Sequence, residues 1–205
     1  RLYTNYTQVV ATAGKGIERI EDLKGKRVSV GSPNSGTEVI ALRILEAAGL
    51  DPQADLRRQQ LGVAESVQAV KDGSLDAFFW SGGLPTGAVT DLATSRKIAL
   101  LPTDEYVQPL RSRYGEVYSK ATIEGGVYKG VGQGVAVIGV PNYLVVNRSM
   151  SEDLAYQLTK LLFEKKTELV KVHPEANNLD LATAQRVTPL ELHPGARRYY
   201  QEAGR

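Results

Sequence analysis

The sequence predicts an α/β protein built on a mostly parallel sheet. Three observations carry this: short apolar runs alternate with helical periodicities over the first hundred residues, glycine-rich junctions follow two of those runs, and the helices have clear start and stop residues. "YTQVVAT", Tyr6 to Thr12, is read as a strand, "GKGIERIEDLKGK" as a loop with a short helical turn, and "RVSV" as the next strand. A helix opens near Gly36 with Ile40, Ile44, Leu45 and Ala48 on one side and stops at Gly49. A polar-apolar segment around "LRRQQL", a helix from Ala64 to Lys71, the turn "DGSLD" and the strand "AFFW" follow. After Ala99 the alternation weakens. "PTDEYVQPLRSRYG" reads as a helix between loops, "IEGGVYKGVGQG" as irregular chain with Tyr128 its one large side chain, and "VAVIGVPNYLVV" as a long extended segment. The clearest helix runs from Ser151 to Val170, capped by Ser151, with Glu152 and Asp153 in its first turn. Leu154, Leu158, Leu161 and Leu162 make its core-facing stripe, and "HPGARRYYQEAG" supplies a short final helix.

Composition removes several function classes. The chain has 205 residues, 42% of them hydrophobic, enough for a substantial core. A formal charge of +2 without a basic run argues against nucleic acid as a partner. No apolar stretch approaches the roughly 18 residues needed to span a bilayer. With no cysteine there are no disulfides, no thiolate chemistry and no Cys-ligated zinc, a composition compatible with an oxidising compartment.

The stretch "GSPNSGTE" marks the first junction. Gly31 and Gly36 have the spacing of a phosphate loop, but Thr37 and Glu38 stand where that loop needs Lys and a hydroxyl, and a carboxylate there repels phosphate. Ser35 is no nucleophile elbow, because Pro33 and Thr37 occupy the positions of its glycines. What remains is a set of small donors, Ser32, Asn34, Ser35, Gly36 and Thr37, at a helix amino end. This suits one carboxylate, or else Ser35 or Asn34 simply caps the helix. At the second junction the strand ending in Trp80 runs into Ser81, Gly82 and Gly83, after which Pro85 pre-sets a helix start and Thr86 can supply a hydroxyl. Ligands of open α/β sheets sit beyond the carboxyl ends of strands, so the two junctions are expected to share one pocket.

Catalytic equipment is sparse. His173 and His193 are each followed by Pro and have neither the spacing nor the companions of a metal site; they read as surface or capping residues. The acidic residues sit at helix starts and in turns. No metal and no cofactor is expected. Tyr3 and Tyr6 flank the first strand and join the candidate ligand contacts.

The order "IERIEDLKGKRVSVGSPNSGTE", an amphipathic helix, "AVKDGSLDAFFWSGGLP" and the return segment "YLVVNRSMSEDLAYQLTKLLFE" resembles a type II periplasmic solute-binding protein, and most closely the TAXI-type solute-binding proteins of TRAP transporters. The resemblance extends from "LYTNYTQVV" to "LHPGARRYYQEAG". It implies a two-lobed clamp that closes on a small anionic or zwitterionic solute, glutamate-like in known members, and delivers it outside the cytoplasm, in the periplasm, to the membrane subunits of a TRAP permease. Residues 12–134 would be a complete second lobe, with 1–11 and 135–205 the crossing strands and part of the first. Family members carry about a hundred further residues ahead of this point, so the resemblance implies an N-terminally truncated chain, in which the leucine stripe is partly exposed or covered by self-association. A ligand-sensing domain of a signalling protein, or less readily an enzyme on the same fold, is the competing expectation.

Overall fold

The computed structural model describes residues 1–204. Its contacts divide the chain into two compact units, Asn5–Val140 and Arg1–Thr4 together with the chain from Pro141 onward. The seven strands are β1 (Thr4–Thr12), β2 (Arg27–Ser29), β3 (Arg57–Gln59), β4 (Ala77–Gly82), β5 (Ile98–Leu100), β6 (Ser119–Ile123) and β7 (Val135–Pro141). Six of them form one path in the order β3-β2-β4-β1-β7-β6, and β5 pairs with the end of β1. The parallel expectation holds for β3, β2 and β4. β1 runs antiparallel to β4 and β5, and β6 antiparallel to β7, so the sheet is mixed. The reversal comes at β1 because the chain leaves it and enters β2 at the same end of the sheet, both beside Ala77 of β4, so β1 runs opposite to β2 and β4.

The larger unit carries α1 (Gly36–Ala47), α2 (Val63–Lys71), α3 (Gly87–Ser95) and α4 (Val107–Tyr114). Strand alternation divides its core between two faces. Val9, Ala11, Val28, Ala77 and Phe79 meet Ile40, Ile44 and Leu45 of α1 and Leu110 of α4 on one face. On the other, Val10 and Phe78 meet Val67 and Val70 of α2 and Val89 and Leu92 of α3. Burying both faces is what lets a strand such as "AFFW" be apolar at every position.

The smaller unit departs from the sequence expectation in three places. The extended segment ends as a strand at Pro141, and past it Asn142 keeps backbone pairing, accepting the Leu2 amide and donating to the Tyr3 carbonyl. The long helix is two, α5 (Glu152–Glu164) and α6 (Lys166–Val172), with Lys165 closing the first and opening the second through its own carbonyl. The leucine stripe is displaced: Leu154 and Leu161 are half exposed, whereas Ala155 and Thr159 are buried. The reason is the approach of α8 (Pro194–Ala203), which follows the short α7 (Leu181–Ala184). Gly195 of α8 lies so close to α5 that a Cβ there would come within 2.8 Å of the Tyr156 amide nitrogen and nearer still to the Glu152 carbonyl. That contact sets the Ala155 and Thr159 side of α5 inward, one step around the helix from the leucines. Ser151 caps α5 as read, its Oγ accepting the Leu154 amide. His173 and His193 are both caps, their Nδ1 atoms accepting the Glu175 and Gly195 amides.

Candidate functional site at the carboxyl edge of the parallel strands

β2, β3 and β4 are parallel neighbours, so their carboxyl ends share one edge of the sheet, and each leads into a helix there: β2 into α1, β3 into α2, β4 into α3. β1, antiparallel to β4, begins at the same edge.

At the first junction Gly31 has φ +103°, and a Cβ would fall 2.8 Å from both Cβ and Cγ2 of Thr37, so glycine alone allows β2 to turn this tightly beneath α1. Ser35 is the cap: its Oγ accepts the Glu38 amide at 3.1 Å and its carbonyl accepts the Val39 amide. The Gly36 and Thr37 amides are left as the uncommitted donors of the helix end. Glu38 is buried. Its carboxylate accepts the Asn34 amide at 2.8 Å and Gln60 Nε2 at 2.5 Å. It thereby offsets part of the partial positive charge of the helix end.

The second junction is tied to the first, because Thr37 Oγ1 accepts the Ser81 amide at 3.2 Å. Behind it lies a buried polar cluster. Thr86 Oγ1 accepts from Trp80 Nε1 and Gln8 Nε2, both at 3.0 Å, and donates to the Gly83 carbonyl. The Tyr128 hydroxyl accepts the Thr86 amide at 2.9 Å and donates to Gln8 Oε1 at 2.6 Å. Burial raises the Tyr128 pKa, keeping the hydroxyl a neutral donor. The glycine-rich loop thus serves, through its one tyrosine, to brace the β4–α3 turn.

A third junction escaped the sequence reading. Gln60, Leu61 and Gly62 connect β3 to α2, organised by the fully buried Ser29, whose Oγ donates to the Leu61 carbonyl, accepts the Leu61 amide and accepts from Ser66 Oγ at 3.0 Å. A Cβ on Gly62 would lie 3.3 Å from Ser32 Oγ, so this junction touches the first. Its signal was present, a strand followed by Gly at a helix start in "RRQQLG".

Of the expected contacts, Ser32, Asn34, Ser35, Gly36, Thr37, Ser81, Gly82 and Gly83 come together at this edge. The pleat splits the remainder. Ser81 pairs with Thr7 on the α1 face, whereas Trp80 pairs with Gln8 and packs, like Tyr6, with the cluster on the α2 and α3 face. Tyr3 belongs to the other unit, where it stacks on His173 at 6.5 Å between ring centroids. The edge gathers hydroxyls, free amides and one neutralising carboxylate, an arrangement suited to donating hydrogen bonds to a small acceptor-rich ligand.

The larger unit is an α/β fold with three helix ends on one edge of its sheet. The chain matches the profile of the NMT1-like family over residues 1–204 and belongs to that family. Among solved structures it is similar to the periplasmic aliphatic sulphonate binding protein SsuA from Escherichia coli, at 14% identity and a TM-score of 0.50, over 98% of this chain and 58% of that one. The alkanesulfonate-binding protein SsuA from Xanthomonas axonopodis pv. citri, bound to MOPS, matches at 17% identity over the same shares with a TM-score of 0.47. The substrate binding protein of an amino acid ABC transporter matches at 20% identity over 69% of this chain and 47% of that one, with a TM-score of 0.37. The fold is that of the first of these, a type II periplasmic binding protein fold, and the chain spans less than two thirds of the length of each of these structures. Among the described residues no helix is long and apolar enough to cross a membrane.

Proposed function

We propose that this protein is an extracytoplasmic solute receptor that binds a small carboxylate or amino acid, glutamate-like in size, at the carboxyl edge of β2, β3 and β4, without transforming it. The observation that carries the reading is the first junction. Two uncommitted amides, Gly36 and Thr37, and the Ser35 hydroxyl stand beside a buried Glu38 that lowers the local positive field, which favours a singly charged or zwitterionic group over phosphate. On this reading residues 12–134 act as one lobe of a clamp, and residues 1–11 and 135–205 supply the crossing strands and part of the other. The TAXI-like segments from Ile17 to Glu38 and from Tyr143 onward support delivery to a TRAP-type permease. Transport in vesicles holding TRAP membrane subunits tests that partner: uptake driven by an ion gradient is expected, and uptake that requires ATP overturns it.

Ser35→Ala tests the site. The Ser35 Oγ accepts from Glu38 and retains its own hydrogen for a ligand. Loss of a hydrogen bond to a charged group corresponds to about 10- to 150-fold weaker binding of glutamate or a similar carboxylate by calorimetry. Loss of the cap alone lowers stability by about 1 kcal/mol and leaves affinity unchanged; that second outcome would return Ser35 to a purely structural role.

A further inference from the structure

β1 carries two polar groups that the structure does not satisfy. Thr7 is 1% exposed, and its Oγ1, like Oδ1 of Asn5, is a buried atom without a hydrogen-bond partner. Buried polar groups are almost always paired, and an unpaired one costs stability, so two on one strand face require a reason. Both stand at the edge described above. Alternation puts Asn5 and Thr7 on the face of Val9 and Ala11, the face that α1 covers. Thr7 lies opposite Ser81. The Ser81 amide turns away from β1 to Thr37, so this is a non-hydrogen-bonded pair, the kind in which opposed side chains stand closest. One step further toward the edge Tyr6 lies opposite Gly82, and the register carries Asn5 opposite Gly83, which has no side chain to fill the space.

We propose that Asn5 and Thr7 are specificity-determining residues of this site: they accept a hydrogen bond from an ammonium or hydroxyl group borne on the carbon next to the carboxylate of the bound solute. The inference rests on the solute-binding reading and deepens it. The α1 end supplies donors to the carboxylate through Ser35, Gly36 and Thr37, and the β1 side supplies acceptors, Asn5 Oδ1 and Thr7 Oγ1. A ligand with an acceptor end and an adjacent donor satisfies both sides. This selects α-amino and α-hydroxy acids over plain carboxylates and over alkanesulfonates, which leave the β1 oxygens unpaired.

The test uses the full chain, its Thr7→Val and Asn5→Ala variants, and four probes: L-glutamate, 2-hydroxyglutarate, glutarate and ethanesulfonate. Calorimetric titration is expected to show glutamate and 2-hydroxyglutarate binding more tightly than glutarate and ethanesulfonate. Thr7→Val is expected to weaken the first two by about 10-fold or more and the last two little. Thermal unfolding without ligand provides a separate readout. Thr7→Val removes an unpaired hydroxyl at nearly constant volume, so its Tm is expected to equal or exceed that of the parent. A lowered Tm with unchanged affinities would make Thr7 a structural residue and overturn the inference. Glutarate binding as tightly as glutamate would overturn it while leaving the solute-binding reading intact. Binding of none of the four would overturn both.

Discussion

Replacing Gly31 with alanine puts two costs on one position. The residue has φ +103°, which an L side chain adopts at a cost of about 1–2 kcal/mol, and the new Cβ would sit 2.8 Å from two carbons of Thr37. Overpacking of that kind adds about 1–3 kcal/mol, because Thr37 is held by the Ser81 amide and by the first turn of α1. The expected destabilisation is therefore about 2–5 kcal/mol. Gly25 is the control. Its φ is +75° and no atom lies within 4 Å of a built Cβ, so Gly25→Ala carries the backbone cost alone. Trp80 is the only tryptophan and lies in β4, so its fluorescence in a urea titration reports the unit that holds both glycines. Gly31→Ala should lower the midpoint clearly more than Gly25→Ala. Adding Thr37→Ser, which removes one of the two opposing carbons, should restore part of the difference. Equal midpoint shifts for the two alanine variants would refute the claim that close approach to Thr37 dictates glycine at position 31.

Two further outcomes probe the scaffold. Asp76 accepts from Arg27 Nε, Nη2 and its amide and from Lys15 Nζ at the end of β4 away from the site, and the Arg27 bonds hold its pKa well below the usual carboxylate range. Its stabilisation is complete above the unfolded carboxylate value of about 4 and is lost as pH falls through the lower folded value. Asp76→Asn should cost about 1–2 kcal/mol at neutral pH, the low end because Lys15 and Arg27 reach solvent, and should flatten the acid limb of stability; an unchanged acid limb would count against the assignment. Gly195→Ala would press a methyl group into the α5 backbone at Glu152 and Tyr156. Amide exchange in Ala155–Leu162 should quicken, by an amount matching about 1–3 kcal/mol, and unaltered protection there would show that the two helices yield freely.

Local signals carried much of this protein. Short apolar runs marked β1, β2 and β4, and the glycines and small polar residues of "GSPNSGTE" and "WSGG" marked two of the three helix ends at the candidate site, because turns, caps and periodicity are properties of neighbours in the chain. Ser35 illustrates the limit of such signals, since its sequence position allows either a cap or a ligand contact, and only the 3.1 Å bond from the Glu38 amide displays the cap. Strand direction was not local: whether β1 runs with or against β4 depends on the end at which the chain re-enters the sheet, and that made the sheet mixed. The face of α5 that is buried was set by how closely Gly195 lets α8 approach, so the leucine periodicity pointed about one residue astray. The Gln8–Thr86–Tyr128 cluster joins residues up to 120 positions apart, and the unpaired oxygens of Asn5 and Thr7 acquire meaning only when register sets them against Ser81 and its glycines. Sequence determined the elements and their ends; the tertiary structure decided which polar groups meet, because hydrogen bonds form between atoms close in space, whatever their separation along the chain.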